Sequence, residues 1–441
     1  MLRSATFKAG LLALVFALTA ASAATAQVTG LYYQEVEKEG RIYVFNTPEK
    51  YQLWQQSGDM GVSLTLVGRG PNGETVVAEN ETAADLYFFK HNLPGYDRPT
   101  PKPASPSFDV SWKDGKTTIK NKSAELVISN RLQLRFTEQM PEVGDDKGSF
   151  RIRRGKTKFE GWVYTKDLTY ELQLNWPDTA NPLEDAVVNY DFTKGKKEFQ
   201  LKAGQYKVPF GRQELTSSGS QQFVDRSAVS NTFARGRDIG VQLWGTPLAG
   251  KLDWRVGVFN GNGRTVSAND NDKFQYNARV GFQPFGDVKY SESDFESTDK
   301  PLFAIAGNWE SNNRQGATTS NDIDREIVGG DVVFKFKGFS LFGELFEATD
   351  DPETGLDKDL SGFNVQAGYF LVRNKFEIAA RVAELDLNKD LDNDEQEERG
   401  LALNYFWNKH AHKIQLDYRQ LENKATGRED DEIRLQYQVI F

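Results

Sequence analysis

The 441-residue chain has no cysteine. Disulfide staples, thiolate metal sites and cysteine nucleophiles are therefore excluded. Histidine is almost as scarce: His91, His410 and His412 are too few and too scattered for a metal centre or a catalytic triad, and the His410/His412 pair reads as turn surface. Past the N-terminus no stretch approaches the ~20 apolar residues that a membrane helix needs, and the mean hydropathy is −0.59. Net positive charge is also missing; at −9 the surface does not recruit nucleic acid. The acidic run from Asp386 to Asp394 puts Leu391 where a calcium loop requires glycine, so it reads as a solvated loop. No catalytic residues, no metal and no cofactor are expected, and the chain is not read as an enzyme.

Aromatic side chains, by contrast, are abundant: 30 Phe, 16 Tyr and 8 Trp. A β-barrel wall escapes a hydropathy test, because only every second residue of each strand faces lipid.

Residues 1–26 read as a signal peptide for export in a bacterium. Arg3 and Lys8 precede an apolar run from Gly10 to Ala21, and Ala24-Thr25-Ala26 is a small-x-small cleavage site. Residues 27–93 read as a small periplasmic α+β unit. It has a strand at Gly40–Phe45, a helix start at Thr47-Pro48-Glu49, and strands over 62–67 and 74–78 around Pro71-Asn72-Gly73. Asn80 is placed to cap a second helix, 81–92. The unit carries no chemical motif, and at its size it is marginal alone. The unit is expected to dock either on the barrel or on a partner, peptidoglycan or a periplasmic protein. Residues 94–114 read as a proline-rich linker.

From residue 115 to 441 the pattern is that of an outer-membrane β-barrel. Sixteen amphipathic segments recur, from 125–137 to 432–441. Tight turns such as Lys337-Gly338 and Arg373-Asn374 alternate with longer polar loops. One connection breaks the rule: Pro284 to Pro301 is long on the side that should be short. The last segment alternates Ile433, Leu435, Tyr437, Val439 and Phe441 with mostly polar residues. The expected fold is all-β, a 16-stranded antiparallel transmembrane barrel with the N-terminal α+β unit attached.

Alternation assigns faces. In the first barrel strand Leu132, Leu134 and Phe136 meet lipid, which turns Arg131 and Arg135 into the lumen. In the second, Phe150 and Ile152 turn Arg151 and Arg153 inward, with Arg154 beside them. A bulge near Gly155 would then turn Lys156, Lys158 and Glu160 inward. The same parity places Lys202, Arg255, Arg279, Arg381, Arg419 and Arg434 in the lumen, with Glu171, Asp185, Asp191, Asp253, Glu377 and Asp417 as inward acids. The third long loop, Pro209 to Gly236, is expected to fold inward as a constriction; it brings Arg212, Arg226 and Arg235, with Arg237 just beyond. Such cations select anions, or else pair with the inward carboxylates of a polar lumen.

Four stretches resemble the phosphate-selective porin O and P family. They are Gly148 to Arg154, Gly204 to Glu214, Phe223 to Ser227 and Gly236 to Val241. The resemblance covers roughly 115–441. It implies a homotrimer of sixteen-stranded barrels in the bacterial outer membrane, in contact with its lipid, each with a basic lumen that concentrates phosphate or polyphosphate. Carried over by position, the run Arg151 to Lys158 and Arg212, Arg226, Arg235 and Arg237 are the anion-binding candidates. Adjacent Arg226/Asp225 and Arg237/Asp238 are alternatively braces of the loop. A general non-selective porin, and an envelope-structural barrel that tethers the cell wall through its N-terminal unit, are the other two functions compatible with the sequence.

Overall fold

The structure, a computed structural model, describes residues 31–96, 108–264, 266, 268–269, 271–297, 299–314 and 322–441. The expected signal peptide and the core of the expected linker lie outside them. Two compact units meet in sequence between Ser105 and Pro106.

The first unit is a four-stranded mixed sheet with two helices. Its strands are β1 (Gln34–Lys38), β2 (Arg41–Phe45), β3 (Leu64–Leu66) and β4 (Thr75–Ala78), in spatial order β1-β2-β4-β3. The helices are α1 (Pro48–Ser57) and α2 (Glu81–Lys90). Consecutive strand residues point to opposite faces, so Val44 and Val76 enter one core with Ala83, Ala84, Tyr87 and Phe88 of α2. Phe45 and Val77 enter a second core with Trp54 of α1 and Met60. Asn80 caps α2 by accepting from Ala83 N at 3.0 Å. Thr47 stands at the start of α1 without a side-chain cap; its hydroxyl donates instead to Glu79, which also accepts from the backbone of Asn46 and Thr47.

Glu35 on β1 gathers the polar end of this unit. Tyr33 Oη donates to it at 2.6 Å, Lys90 Nζ at 2.8 Å, and His91 Nε2 lies at 2.8 Å. Burial alone would raise its pKa; the hydrogen bonds from Lys90, Tyr33 and His91 more than offset burial and hold it down at about 2, against 4.5 for a free glutamate. A depressed carboxylate stabilises the fold above its unfolded pKa, and that contribution fades as pH falls through the folded value. The window is therefore pH 4.5 down to about 2. Glu35→Gln is expected to destabilise the unit by about 1–2 kcal/mol at pH 7, and by progressively less on acidification. Hydrogen exchange across 31–96 in the full chain reads this; equal protection of the two proteins at pH 7 would refute it.

The second unit opens with a hairpin, β5 (Asp109–Lys113) and β6 (Lys116–Lys120). Residues 109–113, assigned to the linker on composition, are thus strand. Sixteen strands follow and close. They are β7 (Ala124–Pro141), β8 (Lys147–Val163), β9 (Thr165–Asn175), β10 (Leu183–Asp191), β11 (Gln200–Lys207), β12 (Arg237–Gly245), β13 (Leu252–Phe259) and β14 (Gln275–Phe282), then β15 (Leu302–Arg314), β16 (Ile323–Phe336), β17 (Phe339–Pro352), β18 (Lys358–Val372), β19 (Phe376–Asp386), β20 (Gln396–Asn408), β21 (His412–Asn423) and β22 (Arg428–Ile440). All barrel neighbours are antiparallel, and β22 pairs with β7 from Ile440↔Arg131 to Asp430↔Pro141. The hairpin pairs with the remaining lower half of β7, from Ser129 to Glu125.

Each of the sixteen expected segments is a strand. The alternation is physical: Leu243, Val256, Leu345, Leu401 and Leu435 are exposed on the outside, whereas Arg279, Arg381, Arg434 and Gln436 are buried inside. Lys337 and Gly338 both hold positive φ (48° and 86°), as a two-residue hairpin turn of this hand requires. The first turn centres on Tyr164, two positions before the expected Lys166-Asp167.

Candidate functional site

The connection between β11 and β12 crosses the lumen. It holds two short helices, α3 (Arg212–Leu215) and α4 (Ala228–Phe233). Its side chains seat in sockets on the far wall, where β18 and β20 present inward glycines. A Cβ on Gly362 would stand 2.9 Å from Phe233, one on Gly400 2.9 Å from Phe223, and one on Gly368 would overlap Gln222. Gln222 Nε2 donates to Glu377 at 2.7 Å and to Ser340 at 2.9 Å; the Val224 amide donates to Asp417 at 3.0 Å and the Ala228 amide to Glu398 at 2.8 Å. The connection is pinned to the wall that runs from β17 to β22.

The open space is consequently off-centre. A chamber of about 1080 Å³ runs along the wall from β7 to β13, from Lys166 and Lys197 at the turn end to Asp178 and Arg264 at the loop end. Seven of the eleven candidate residues line it: Arg131, Arg153, Arg154, Lys156, Lys158, Arg226 and Arg237. The other four do not. Arg135 is fully buried against Asp225 and Gln436. Arg212 turns away, donating to the carbonyl oxygens of Val288 at 2.6 Å and Lys289 at 3.3 Å. Arg151 is exposed opposite Arg135. Arg235 has its Nε buried with no hydrogen-bond partner.

Two bulges set the charge pattern. The register of β7 with β8 jumps from Gln133↔Arg154 to Leu134↔Ile152, so Arg153 is the extra residue. The shift was expected near Gly155; two positions earlier, it turns both Arg153 and Arg154 inward. On β10 a shift at Leu183/Asp185 makes Glu184 the extra residue, and Glu184 and Asp185 are both buried inside. Most of the cations are then paired. Asp225 on the crossing loop collects Arg135, Arg153 at 3.2 Å, Arg154 at 3.6 Å and Arg434 at 3.7 Å. Glu184 takes Lys156, and Asp185 takes Arg237 at 2.8 Å. Lys158 sits between Glu160 at 2.7 Å and Glu171 at 3.0 Å. The adjacent braces do not form: Arg226 pairs with Glu214 at 2.9 Å rather than Asp225, and Asp238 accepts from the Gly263 amide rather than from Arg237. Among the described residues Arg131, Arg151, Arg212, Arg235 and Lys202 have no carboxylate within ion-pair distance; Arg131 donates to Ser217 Oγ at 2.9 Å and Ser218 Oγ at 3.1 Å.

A family model described as phosphate-selective porin O and P matches residues 128–441. The chain belongs to that family. An uncharacterised protein of Aquifex aeolicus (strain VF5) is 24% identical over 375 residues, which are 73% of this chain and 89% of that one. Among solved structures, an anion-selective porin from Comamonas acidovorans is similar with TM-score 0.53 at 13% identity, over 72% of this chain and all of that one. The outer-membrane channel DcaP of Acinetobacter baumannii is similar with TM-score 0.54 at 11% identity, over 73% of this chain and 99% of that one. The protein is a porin of the bacterial outer membrane.

Sequence parity misses a second filling element in this porin. The long turn between β14 and β15, noted only as an exception, folds into the lumen beneath the crossing loop. Glu292 accepts from the Gln222 amide at 2.7 Å, from Gln366 at 2.8 Å and from Gln213 at 3.1 Å. Ser293 Oγ donates to Glu377 at 2.9 Å, and the Gly338 amide donates to Asp294 at 2.8 Å. His410 is not turn surface: it packs edge-on against Phe295 of this turn and Phe406 of β20. Its excess length over an ordinary barrel turn was the available signal.

Proposed function

We propose that this porin is a passive channel for small anions, with phosphate or polyphosphate the preferred solute, and that it assembles as a homotrimer. The crossing loop is the constriction, and the β7–β13 chamber is the passage. The observation that carries this reading is the charge of the chamber lining: fourteen basic side chains against eight acidic ones. Asp225, Glu214 and Asp253 stand just behind that lining and narrow the excess without reversing it. In a narrow low-dielectric passage a modest excess is focused on the permeating ion.

The test is the reversal potential of the purified porin in a planar bilayer under a KCl gradient, repeated with added phosphate. Anion selectivity, with chloride current reduced by phosphate, is expected. A non-selective current that phosphate leaves untouched would favour the general porin, for which the many Arg–carboxylate pairs are the supporting observation.

A further inference from the structure

The lower half of the chamber is not merely basic. Across β11, β12, β13, the long turn and α3, cations and rings alternate as a ladder: Tyr206, Lys202, Trp244, Arg255, Tyr290, Arg212. Lys202 Nζ lies 5.2 Å from the Tyr206 ring centre and 5.1 Å from that of Trp244. The Arg255 guanidinium lies 5.8 Å from Trp244 and 5.6 Å from Tyr290, and that of Arg212 lies 4.4 Å from Tyr290. All but Arg212 line the chamber.

Strand register builds this ladder. Trp244 and Arg255 are direct cross-strand partners, and Lys202 is paired one step away with Gln242. The indole is held in place, since its Nε1 donates to Asn189 Oδ1 at 2.8 Å. The two cations beside it differ in commitment. Arg255 is clamped by Asp253 through hydrogen bonds of 2.9 and 2.8 Å, so it offers a flat face more than a free charge. Lys202 has no carboxylate within ion-pair distance among the described residues. Barrel lumens are polar, and a solute as small and hydrated as phosphate makes no use of ring faces.

Resting on the anion-channel reading above, we propose that this ladder is a binding subsite for flat organic anions, aromatic carboxylates in particular. Lys202 meets the carboxylate, while the ring stacks against Trp244 and the plane of Arg255. Inorganic phosphate uses the charge and leaves the rings idle.

The test uses the full porin in a planar bilayer and compares block of its chloride current by sodium benzoate, cyclohexanecarboxylate and acetate. Cyclohexanecarboxylate matches benzoate in apolar bulk but has no π face. Benzoate is expected to half-block at a concentration about tenfold below the other two, the worth of one desolvated cation–π or stacking contact. Trp244→Leu is expected to erase that preference and Trp244→Phe to keep most of it; Lys202→Gln raises the half-blocking concentration of benzoate. Each variant reports its own folding through its conductance. Equal block by benzoate and cyclohexanecarboxylate, or a preference that survives Trp244→Leu, overturns the proposal. A cation-selective reversal potential in the same recordings marks instead the failure of the anion-channel reading beneath it.

Discussion

Asp225→Asn is expected to raise the anion-to-cation permeability ratio about three- to tenfold, because one carboxylate currently occupies four arginines. Three of the four keep other partners, Arg154 through a hydrogen bond of 3.0 Å to Gln133 Oε1. Arg434 retains Asp417 at 2.7 Å, and Arg135 retains Gln436 and the carbonyl of Val224. Arg153 and Arg154 have no other carboxylate within ion-pair distance among the described residues. Both line the chamber, so neutralising Asp225 leaves two cations without a carboxylate at the chamber wall. A unit charge about 8 Å away at an effective dielectric near 20 is worth about 2 kcal/mol before salt screening, roughly thirtyfold, and screening brings this down to the expected ratio. There is also a cost: removing one partner of a desolvated pair destabilises by about 3–5 kcal/mol when the partner has nothing else, and by less here because asparagine keeps an acceptor. Reversal potentials in a KCl gradient decide. An unchanged ratio would mean that permeating ions do not sense these two guanidinium groups.

Replacing the long turn, residues 286–299, with a two-residue Asn-Gly turn is expected to increase single-channel conductance about twofold or more. The turn fills lumen that a short connection would leave open. It also holds the crossing loop from below through Arg212, Gln213 and Gln222. Current noise should rise together with conductance, since the loop loses three of its supports. A variant with native conductance would place the bottleneck wholly at the crossing loop.

The wall was legible because lipid enforces period-two alternation, and this holds from the first barrel strand to the last. Inward residues were legible for the same reason: Arg279, Arg381 and Arg434 stand where parity puts them. Bulges were harder. Glu184 reads as outward from its own strand, and only the pairing with β9 makes it the extra residue. Ion-pair partners were not legible at all. Asp225 sits beside Arg226 in sequence, yet its four arginines come from β7, β8 and β22. In the N-terminal unit β1 escaped notice because Gln34–Lys38 carries a single apolar residue, Val36, as an edge strand permits. The ring-and-cation ladder was half visible: parity placed Lys202 and Arg255 inside, but Trp244 drew no attention as an inward residue.

The reach of Asp225 bears on how the molecule comes to exist. Arg135 belongs to the first barrel strand and Arg434 to the last, and the loop touches the same seam again where Gln133 donates to Ser218 O and Gln438 to Gly219 O. These contacts join residues 85 and 219 positions apart, the kind of long-range pairing that folding completes late. The loop is a staple across the join, so zipping the last strand to the first is expected to be cooperative with filling the lumen. Shortening the loop is then an assembly lesion first, felt while the barrel is still an open sheet, and a change of bore only in the molecules that manage to close.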